Sequence, residues 1–213
     1  MSSQAYSFKT ALVTGGGGGI GKALSQQLIK DGKKVIIAGR TESTLKQTAQ
    51  EIGADFYVRI PEKADQEIDI NIRGPMHLIL QLMKHFKSKP NAVVVNVSSV
   101  LGFVPFSTLN PVYCATKSWQ HFWSMSLRKQ LEKTDIKVVE IAPPMVATDL
   151  HRERENPDDN KKSNAPQTME VGEFVDEVVQ KWKKGETMIT AGPGNKIVGI
   201  WKESMEPLFE KMT

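Results

Sequence analysis

A run of glycines near the start of the chain constrains the fold more than any other feature. Five consecutive glycines, Gly15–Gly19, follow the short apolar run Thr10–Thr14 and precede the amphipathic stretch Ile20–Lys30. This order predicts a strand, a tight turn and a helix in direct succession. A flexible linker is the alternative, but the strand before the run and the helix after it argue against one. The run therefore predicts the first βα unit of a parallel sheet.

The same alternation continues along the chain. Apolar runs rich in branched residues predict strands at Lys34–Ala38, Ala92–Val97 and Lys137–Ala142. Amphipathic stretches predict helices at 20–31, 43–52, 63–88, 112–133, 171–184 and 197–210. Unbroken apolar strands suit a sheet that is covered on both faces. We therefore expect an α/β fold, a doubly wound, Rossmann-like parallel sheet in three layers, in a single domain over 1–213.

Charge and cysteine content exclude several classes of protein. The net charge is only +4 and no basic face with interleaved aromatic residues occurs, so a nucleic-acid partner is not expected. The one cysteine, Cys114, excludes an internal disulfide, and the histidines lack metal-ligand spacing, so no metal site is expected: His77, His85, His121 and His151. Neither a signal peptide nor a membrane helix of about 20 apolar residues is found, which predicts a cytoplasmic protein.

The glycine turn and the end of the second strand predict a dinucleotide cofactor. Glycines let the backbone approach a pyrophosphate, whose charge the amides and dipole of a helix N-terminus balance. After the second strand, Arg40 stands where folds selective for NAD place an acid. Its guanidinium can pair with a 2′-phosphate, which predicts NADP(H). The alternative is that Arg40 is an ordinary surface residue.

Three further residues suggest proton-transfer chemistry. Tyr113 and Lys117 are four residues apart, which places them on one face of a helix. A nearby ammonium lowers the pKa of a phenol from about 10, so that it can exchange a proton with an alcohol or carbonyl. Ser99 follows a predicted buried strand, at the sheet edge where ligands bind. The alternatives are a surface pair and a serine that caps the next turn.

In this order, these motifs resemble the short-chain dehydrogenase/reductase family, from Lys9 to about Gly192. Thr14–Gly21 resembles the family's T-G-x-x-x-G-x-G turn, and Asp69–Gly74 resembles the helix with its structural asparagine. Pro143–Thr148 resembles the P-G-x-V-x-T stretch along the nicotinamide. Ser99, Tyr113 and Lys117 match the family's serine, tyrosine and lysine, and the segments around Trp119 and His151 resemble a DltE-like oxidoreductase branch.

The resemblance implies a role for each residue. Tyr113 would be the general acid/base, Lys117 would lower its pKa and hold the nicotinamide ribose, and Ser99 would polarise the carbonyl. Asn71 would kink its helix and hold a water that relays protons to Lys117; by itself it would be an ordinary helix asparagine. The implied cofactor residues are Gly15, Gly18, Gly19, Ile20, Gly21, Arg40, Tyr113, Lys117, Val146 and Thr148. The resemblance also implies a homodimer or homotetramer through the helices at 63–88 and 112–133.

One departure from the family is large. Near residues 58–62 the chain lacks about one βα unit, roughly 30 or more residues in the family. Either a segment has been removed, or Asp55–Ile60 takes the central place and the sheet is one strand narrower; an open central gap is not expected, because it would leave backbone unpaired. Pro144 also replaces a family glycine. These departures keep a second hypothesis open, a non-catalytic dinucleotide-binding protein.

The substrate is predicted from the loop between Ser99 and Tyr113. Its apolar side chains predict one wall of a pocket for a small apolar or aromatic ketone or aldehyde: Phe103, Val104, Phe106 and Leu109. Packing in the core is the alternative for them. Met145 and the polar segment 151–170, a mobile surface loop or a lid, are expected to form the other wall.

Overall fold

The computed structural model of the protein describes residues 8–58, 63–108, 110–151 and 156–213. These residues divide into two compact units. The glycine-turn unit comprises the described residues of 8–61 and 145–176, and the tyrosine unit those of 62–144 and 177–213. That the chain forms a single domain stays a prediction.

The glycine-turn unit is built on a parallel sheet in the order β1-β2-β3. Its elements are β1 (Thr10–Thr14), α1 (Gly19–Lys30), β2 (Lys34–Gly39), α2 (Glu42–Ile52), β3 (Asp55–Val58) and the start of α6 (Val171–Lys183). Thr10 lies opposite Lys34, and Thr14 lies opposite Ala38. The buried side chains of Val35 and Ile37 pack against those of α2, which holds the helices on the sheet.

The tyrosine unit contains a second parallel sheet, in the order β4-β5-β6. Its elements are α3 (Lys63–Ile68), a π-helical turn (Asp69–Arg73), α4 (Gly74–Lys87), β4 (Val93–Val97), a 3₁₀ turn (Val100–Gly102), α5 (Pro111–Leu131), β5 (Lys137–Ile141), β6 (Met188–Ile189), α7 (Gly194–Ser204) and α8 (Glu206–Met212). Ile79, Leu127 and Leu131 pack on Val94 and Val138, so α4 and α5 cover one face of the sheet.

The predicted helices match the observed ones closely, with two exceptions. The stretch 63–88 is one helix by its apolar pattern, but the π-helical turn divides it into α3 and α4. The stretch 197–210 contains two helices, α7 and α8. The sequence analysis also did not predict β6, whose two residues are too few for a periodic pattern.

The α/β fold with parallel strands is confirmed, but the expectation of one continuous sheet is wrong. Residues 55–58 form β3, which pairs with β2 and does not take a central place; residues 59 and 60 lie outside the described part. The β-α-β connection through α2 makes β2 and β3 neighbouring parallel strands, as is usual for consecutive strands. Among the described strands, none pairs with both β1 and β4, as a filled central place would require.

Candidate active site

The predicted tyrosine and lysine lie together on α5. The Lys117 ammonium lies 5.5 Å from the centre of the Tyr113 ring. Pro111 begins the helix, where the missing amide of a proline costs nothing. The pair therefore has the geometry that the spacing of four residues predicts, with the phenol within the electrostatic reach of the ammonium.

Lys117 is buried, although lysine is rarely an interior residue. Its Nζ donates hydrogen bonds to the carbonyl oxygen of Val97 and to Oε1 of Gln120, both at 2.9 Å. Burial lowers the pKa of Lys117 from 10.5 to about 8, while the negative charges of Glu67 and Glu140 oppose this lowering. A lysine with a pKa near 8 can change charge close to neutral pH.

Ser99 lies at the end of β4 and begins the 3₁₀ turn. Its Oγ accepts a hydrogen bond from the Leu101 amide at 3.2 Å, so the capping alternative describes a real contact. The same hydroxyl donates to the carbonyl oxygen of Pro143 at 3.5 Å, a long hydrogen bond. Since that bond is weak, little energy is needed to redirect the proton to another acceptor.

Two residues that the sequence analysis did not identify hold this turn against α5. A Cβ on Gly102 would lie 2.7 Å from the Lys117 carbonyl oxygen, so only glycine allows this close approach. Ser118 donates a hydrogen bond to the Gly102 carbonyl oxygen at 3.0 Å. Together they fix the turn that carries Ser99 to the helix that carries Lys117.

Asn71 lies in the π-helical turn, so the expected irregularity of its helix is present. Its Nδ2 donates a hydrogen bond to Oγ1 of Thr116 at 3.0 Å, and that hydroxyl donates to the Tyr113 carbonyl oxygen at 2.8 Å. Asn71 is therefore tied to the backbone of the Tyr113 turn. Its role in holding a water beside Lys117 stays a prediction.

The glycine turn has the close packing that the motif predicts. A Cβ on Gly21 would lie 2.3 Å from the Gly15 carbonyl oxygen, so the first turn of α1 touches the turn before it. Gly15 has φ +70°, and its amide donates a hydrogen bond to the Ala38 carbonyl oxygen at 2.7 Å. Gly18 is the N-cap of α1, and Ile20 follows in its first turn. The opening amides of α1, which lack helical partners, fit the pyrophosphate of a dinucleotide.

Two groups of predicted cofactor residues that are distant in the sequence lie close together. Gly19, with φ +50°, lies beside Thr148, and a Cβ on Gly19 would be 3.1 Å from Cγ2 of Thr148. Val146 is buried and pairs with Met169 in an isolated parallel bridge. The predicted cofactor residues of the glycine turn and of segment 146–148 thus lie next to each other within the glycine-turn unit.

Thr48 also supports the glycine turn, and no sequence motif identifies it. Its buried Oγ1 donates a hydrogen bond to the Gly17 carbonyl oxygen at 2.8 Å. Arg40 is exposed, directly after β2 and before α2. Within the described part of the chain, its guanidinium has no hydrogen bond or ion pair. The position is open to an anionic group, as the NADP(H) prediction requires.

Two side chains of the described part of segment 151–170 bind it to segment 146–148. The side chain of Asn160 is buried and donates hydrogen bonds to the carbonyl oxygens of Val146 and Thr148, at 3.3 and 2.9 Å. Lys161 donates to the same Thr148 oxygen at 3.2 Å. These contacts hold segment 146–148 in place. Residues 152–155 lie outside the described part, and closure as a lid stays a prediction.

The predicted substrate wall divides into core and surface residues. The Phe103 ring packs at a tilt against the His121 ring, with ring centres 4.0 Å apart, and lies edge-on to Trp201, so the alternative of core packing describes Phe103. Val104 and Phe106 are 39% and 60% exposed. Leu109 lies outside the described residues. Met145, in the other unit, is also exposed.

The comparisons with known proteins agree with these motifs. The sequence matches the family profile described as short chain dehydrogenase in two segments, residues 9–61 and 56–159. The chain belongs to the short-chain dehydrogenase family. The two matches meet at residues 56–61, where the sequence analysis finds a βα unit missing from this short-chain dehydrogenase.

Curated relatives support the same branch. The uncharacterized oxidoreductase DltE of Bacillus subtilis is 28% identical over 247 aligned residues, which cover 95% of this chain and 96% of DltE. The aligned length exceeds the 213 residues of this chain, so part of DltE has no counterpart here. An uncharacterized oxidoreductase of Staphylococcus epidermidis is 29% identical over 184 residues, covering 67% of this chain and 80% of its own length.

Solved structures share the fold. A short-chain dehydrogenase from Sphingobium yanoikuyae in complex with NADPH has a TM-score of 0.77 at 18% identity, covering 95% of this chain and 96% of its own. A bulky-bulky ketone specific alcohol dehydrogenase from Comamonas testosteroni has a TM-score of 0.73 at 18% identity, covering 96% of this chain and 94% of its own. Within the described residues, none of the helices of this short-chain dehydrogenase has the length and apolar character needed to cross a membrane.

Proposed function

We propose that this short-chain dehydrogenase is an NADP(H)-dependent oxidoreductase that acts on the carbonyl or alcohol group of a small apolar or aromatic substrate. The observation that carries the proposal is the Tyr113 ring 5.5 Å from the buried ammonium of Lys117. Family membership supplies the reaction class, and the pair supplies the proton-transfer group that this class requires.

Several residues of the tyrosine unit have separate roles in the proton transfer. The bound cofactor supplies the hydride. In the reducing direction, the Tyr113 hydroxyl donates its proton to the carbonyl oxygen of the substrate, and the Lys117 ammonium stabilises the phenolate that remains. Ser99 donates a hydrogen bond to the same oxygen, in place of its weak bond to Pro143. Asn71 holds the Tyr113 turn through Thr116.

The test is the oxidation of NADPH in the presence of a panel of ketones and aldehydes. We expect turnover by the wild type and a loss of about 10²- to 10⁴-fold in Tyr113→Phe, which removes the proton donor and keeps the ring. Circular dichroism checks that the variant is folded. Rates for the wild type no higher than those of Tyr113→Phe would contradict the proposal.

The second candidate is a non-catalytic dinucleotide-binding protein. It is favoured by the two separate three-stranded sheets and by the missing βα unit. Calorimetric titration with NADPH, combined with the turnover assay above, separates the two candidates. Binding together with turnover supports the enzyme, whereas binding without turnover on any substrate supports the second candidate.

The preference for NADP(H) over NAD(H) depends on Arg40. A charge-assisted pair with the 2′-phosphate contributes about 1.5 to 3 kcal/mol, so Arg40→Ala is expected to weaken NADPH by about 10- to 100-fold and NADH little. Arg73→Ala, which removes an exposed arginine paired with Asp69, is the matched control. Equal losses of the two cofactors in Arg40→Ala would contradict the assignment.

The substrate preference is supported by the exposed apolar side chains of Val104 and Phe106, which lie between Ser99 and Tyr113 in sequence. Apolar burial without a fixed charge favours a neutral aryl ketone over a 2-keto acid of similar size. The ratio of their kcat/KM values tests this preference. A clear advantage for the acid would overturn it.

A homodimer or homotetramer is supported by exposed apolar side chains on α4 and α5, among them Leu80 and Phe122. Large side chains of this kind are common at subunit interfaces. We expect a dimer or tetramer in light scattering at micromolar concentration. A monomeric mass would contradict the proposed assembly.

A further inference from the structure

Three buried side chains, one of them that of Ser98, form a hydrogen-bonded group next to Ser99. The Ser98 hydroxyl donates a hydrogen bond to Oε1 of Glu140, and Nδ1 of His121 lies 2.9 Å from Oε2 of the same carboxylate. Glu140 and His121 are completely buried, and Ser98 is nearly so. None of the three has a role in the reaction described above, and a buried carboxylate is costly unless its charge is balanced.

The contacts of Glu140 define its charge. Each carboxylate oxygen faces a donor, the Ser98 hydroxyl at one and the His121 ring at the other, which is the pattern of an ionised carboxylate. Within the described residues, Nε2 of His121 has no hydrogen-bond partner, so no acceptor is present there for a second ring proton. The rings of Phe103 and Trp201 pack against His121. The group as a whole therefore carries one buried negative charge.

Lys117 is a buried cation on the same helix as His121. It precedes His121 by four residues on α5, so both side chains project from one face of the helix. Lys117 Nζ donates to the carbonyl oxygen of Val97, and the next residue, Ser98, donates to Glu140. The ammonium and the carboxylate thus contact consecutive residues at the end of β4.

We propose that Glu140, held by Ser98 and His121, is a positioning residue: its carboxylate is the buried counter-charge that keeps the Lys117 ammonium charged beside Tyr113. Glu140 acts through Lys117 and contacts neither substrate nor cofactor. Its importance for catalysis rests on the proposed function, since only there does the charge of Lys117 matter for turnover.

The other groups around Lys117 limit the size of the effect. In the described part of the chain, the negative charges that act on Lys117 are Glu67 of α3 and Glu140 of β5, and Tyr113 is the titratable group beside it on α5. Burial already lowers the pKa of Lys117 to about 8. Loss of one of the two opposing charges must lower the pKa further, towards neutral pH.

The experiment is an NMR titration of the protein labelled with [13Cε]lysine, without cofactor. The Lys117 signal is assigned by its absence from the spectrum of Lys117→Arg. In Glu140→Gln, the pKa of Lys117 is expected to fall by about one unit or more. Ser98→Ala, which removes a hydrogen bond but keeps the carboxylate, is expected to shift this pKa much less. Glu132→Gln, at the exposed end of α5, is expected to leave it unchanged.

An unchanged pKa of Lys117 in folded Glu140→Gln would overturn the proposal. A second measurement needs no variant at that position: [13C]histidine NMR of the wild type reports the protonation of His121. A doubly protonated His121 at neutral pH would neutralise Glu140 and also overturn the proposal. Neither measurement requires turnover. An absence of NADPH oxidation would therefore contradict the proposed function but not the role of Glu140 as the counter-charge of Lys117.

Discussion

The two units hold their predicted site residues by different means. In the glycine-turn unit, close backbone contacts determine the arrangement. A Cβ on Gly21 would lie 2.3 Å from the Gly15 carbonyl oxygen, which no side chain allows, and a Cβ on Gly19 would make a tight contact of 3.1 Å with Thr148. In the tyrosine unit, buried polar side chains hold each other through hydrogen bonds, as Glu140 shows with Ser98 and His121. The first arrangement requires residues without a side chain. The second requires that each buried polar side chain has a hydrogen-bond partner in the core.

This contrast predicts which substitutions each unit tolerates least. A tight backbone contact fails when an atom is added, whereas a buried polar network fails when a partner is removed. The loss in free energy of unfolding is expected to be larger for the network, because a buried charge that loses its partner has no access to water.

The largest effect is expected for His121→Phe. The substitution keeps a ring between Phe103 and Trp201 but removes the donor to the buried Glu140 carboxylate. Leaving a buried charge without one of its partners typically costs about 3–5 kcal/mol, so the free energy of unfolding in urea should fall by that amount. His77→Phe, the same change at an exposed position of α4, is the control and should change it by less than about 0.5 kcal/mol. Similar losses in the two variants would show that the network does not stabilise the unit.

Gly21→Ala is expected to have the next largest effect. The added Cβ would lie 2.3 Å from the Gly15 carbonyl oxygen, so the turn and α1 must separate. We expect a loss of about 3 kcal/mol in the free energy of unfolding, together with loss of cofactor binding. Gly172→Ala, on α6 where a Cβ meets nothing within 4 Å, should be neutral or slightly stabilising. If Gly21→Ala has the free energy of unfolding and the cofactor binding of the wild type, backbone contact does not determine the structure of this unit.

The third prediction concerns pH and Lys117. Its pKa is about 8 in the folded protein and near 10.5 in the unfolded chain, so between these values the unfolded chain binds more protons. Raising the pH therefore favours the folded state. The free energy of unfolding of the wild type, relative to Lys117→Met, should rise by about 2 kcal/mol from pH 7 to pH 9.5. The comparison with this variant cancels the titration of the other groups, and a constant difference would mean that folding does not lower the pKa of Lys117.

The same contrast explains how much the sequence could predict. The glycine turn, Arg40 after β2 and the Tyr113–Lys117 pair follow from local spacing, and the structure places all of them as the spacing implies. The burial of Glu140 could not be predicted, because its partners Ser98 and His121 are separated from it by 42 and 19 residues. Its place in an apolar run between Val139 and Ile141 was the one available signal.

The sheet arrangement was mispredicted for a related reason. Strand pairing across long sequence distances is not encoded in the local pattern of β1, β3 or β4. The sequence analysis assumed that the central place of the sheet must be filled, since open edges leave backbone groups without partners. The observed pairing instead gives two three-stranded sheets, β1-β2-β3 and β4-β5-β6.

The smallest effect is expected at Thr48, where the glycine-turn unit uses a side chain after all. Its hydroxyl donates to the Gly17 carbonyl oxygen at 2.8 Å. Thr48→Val keeps the shape and removes the hydrogen bond, so the free energy of unfolding should fall by about 1 kcal/mol, with a modest loss of NADPH affinity. Thr44→Val, at an exposed position of the same helix, controls for the change in helix propensity. If the two variants lose stability equally, the turn is held by its glycines alone, and the contrast between the units becomes sharper.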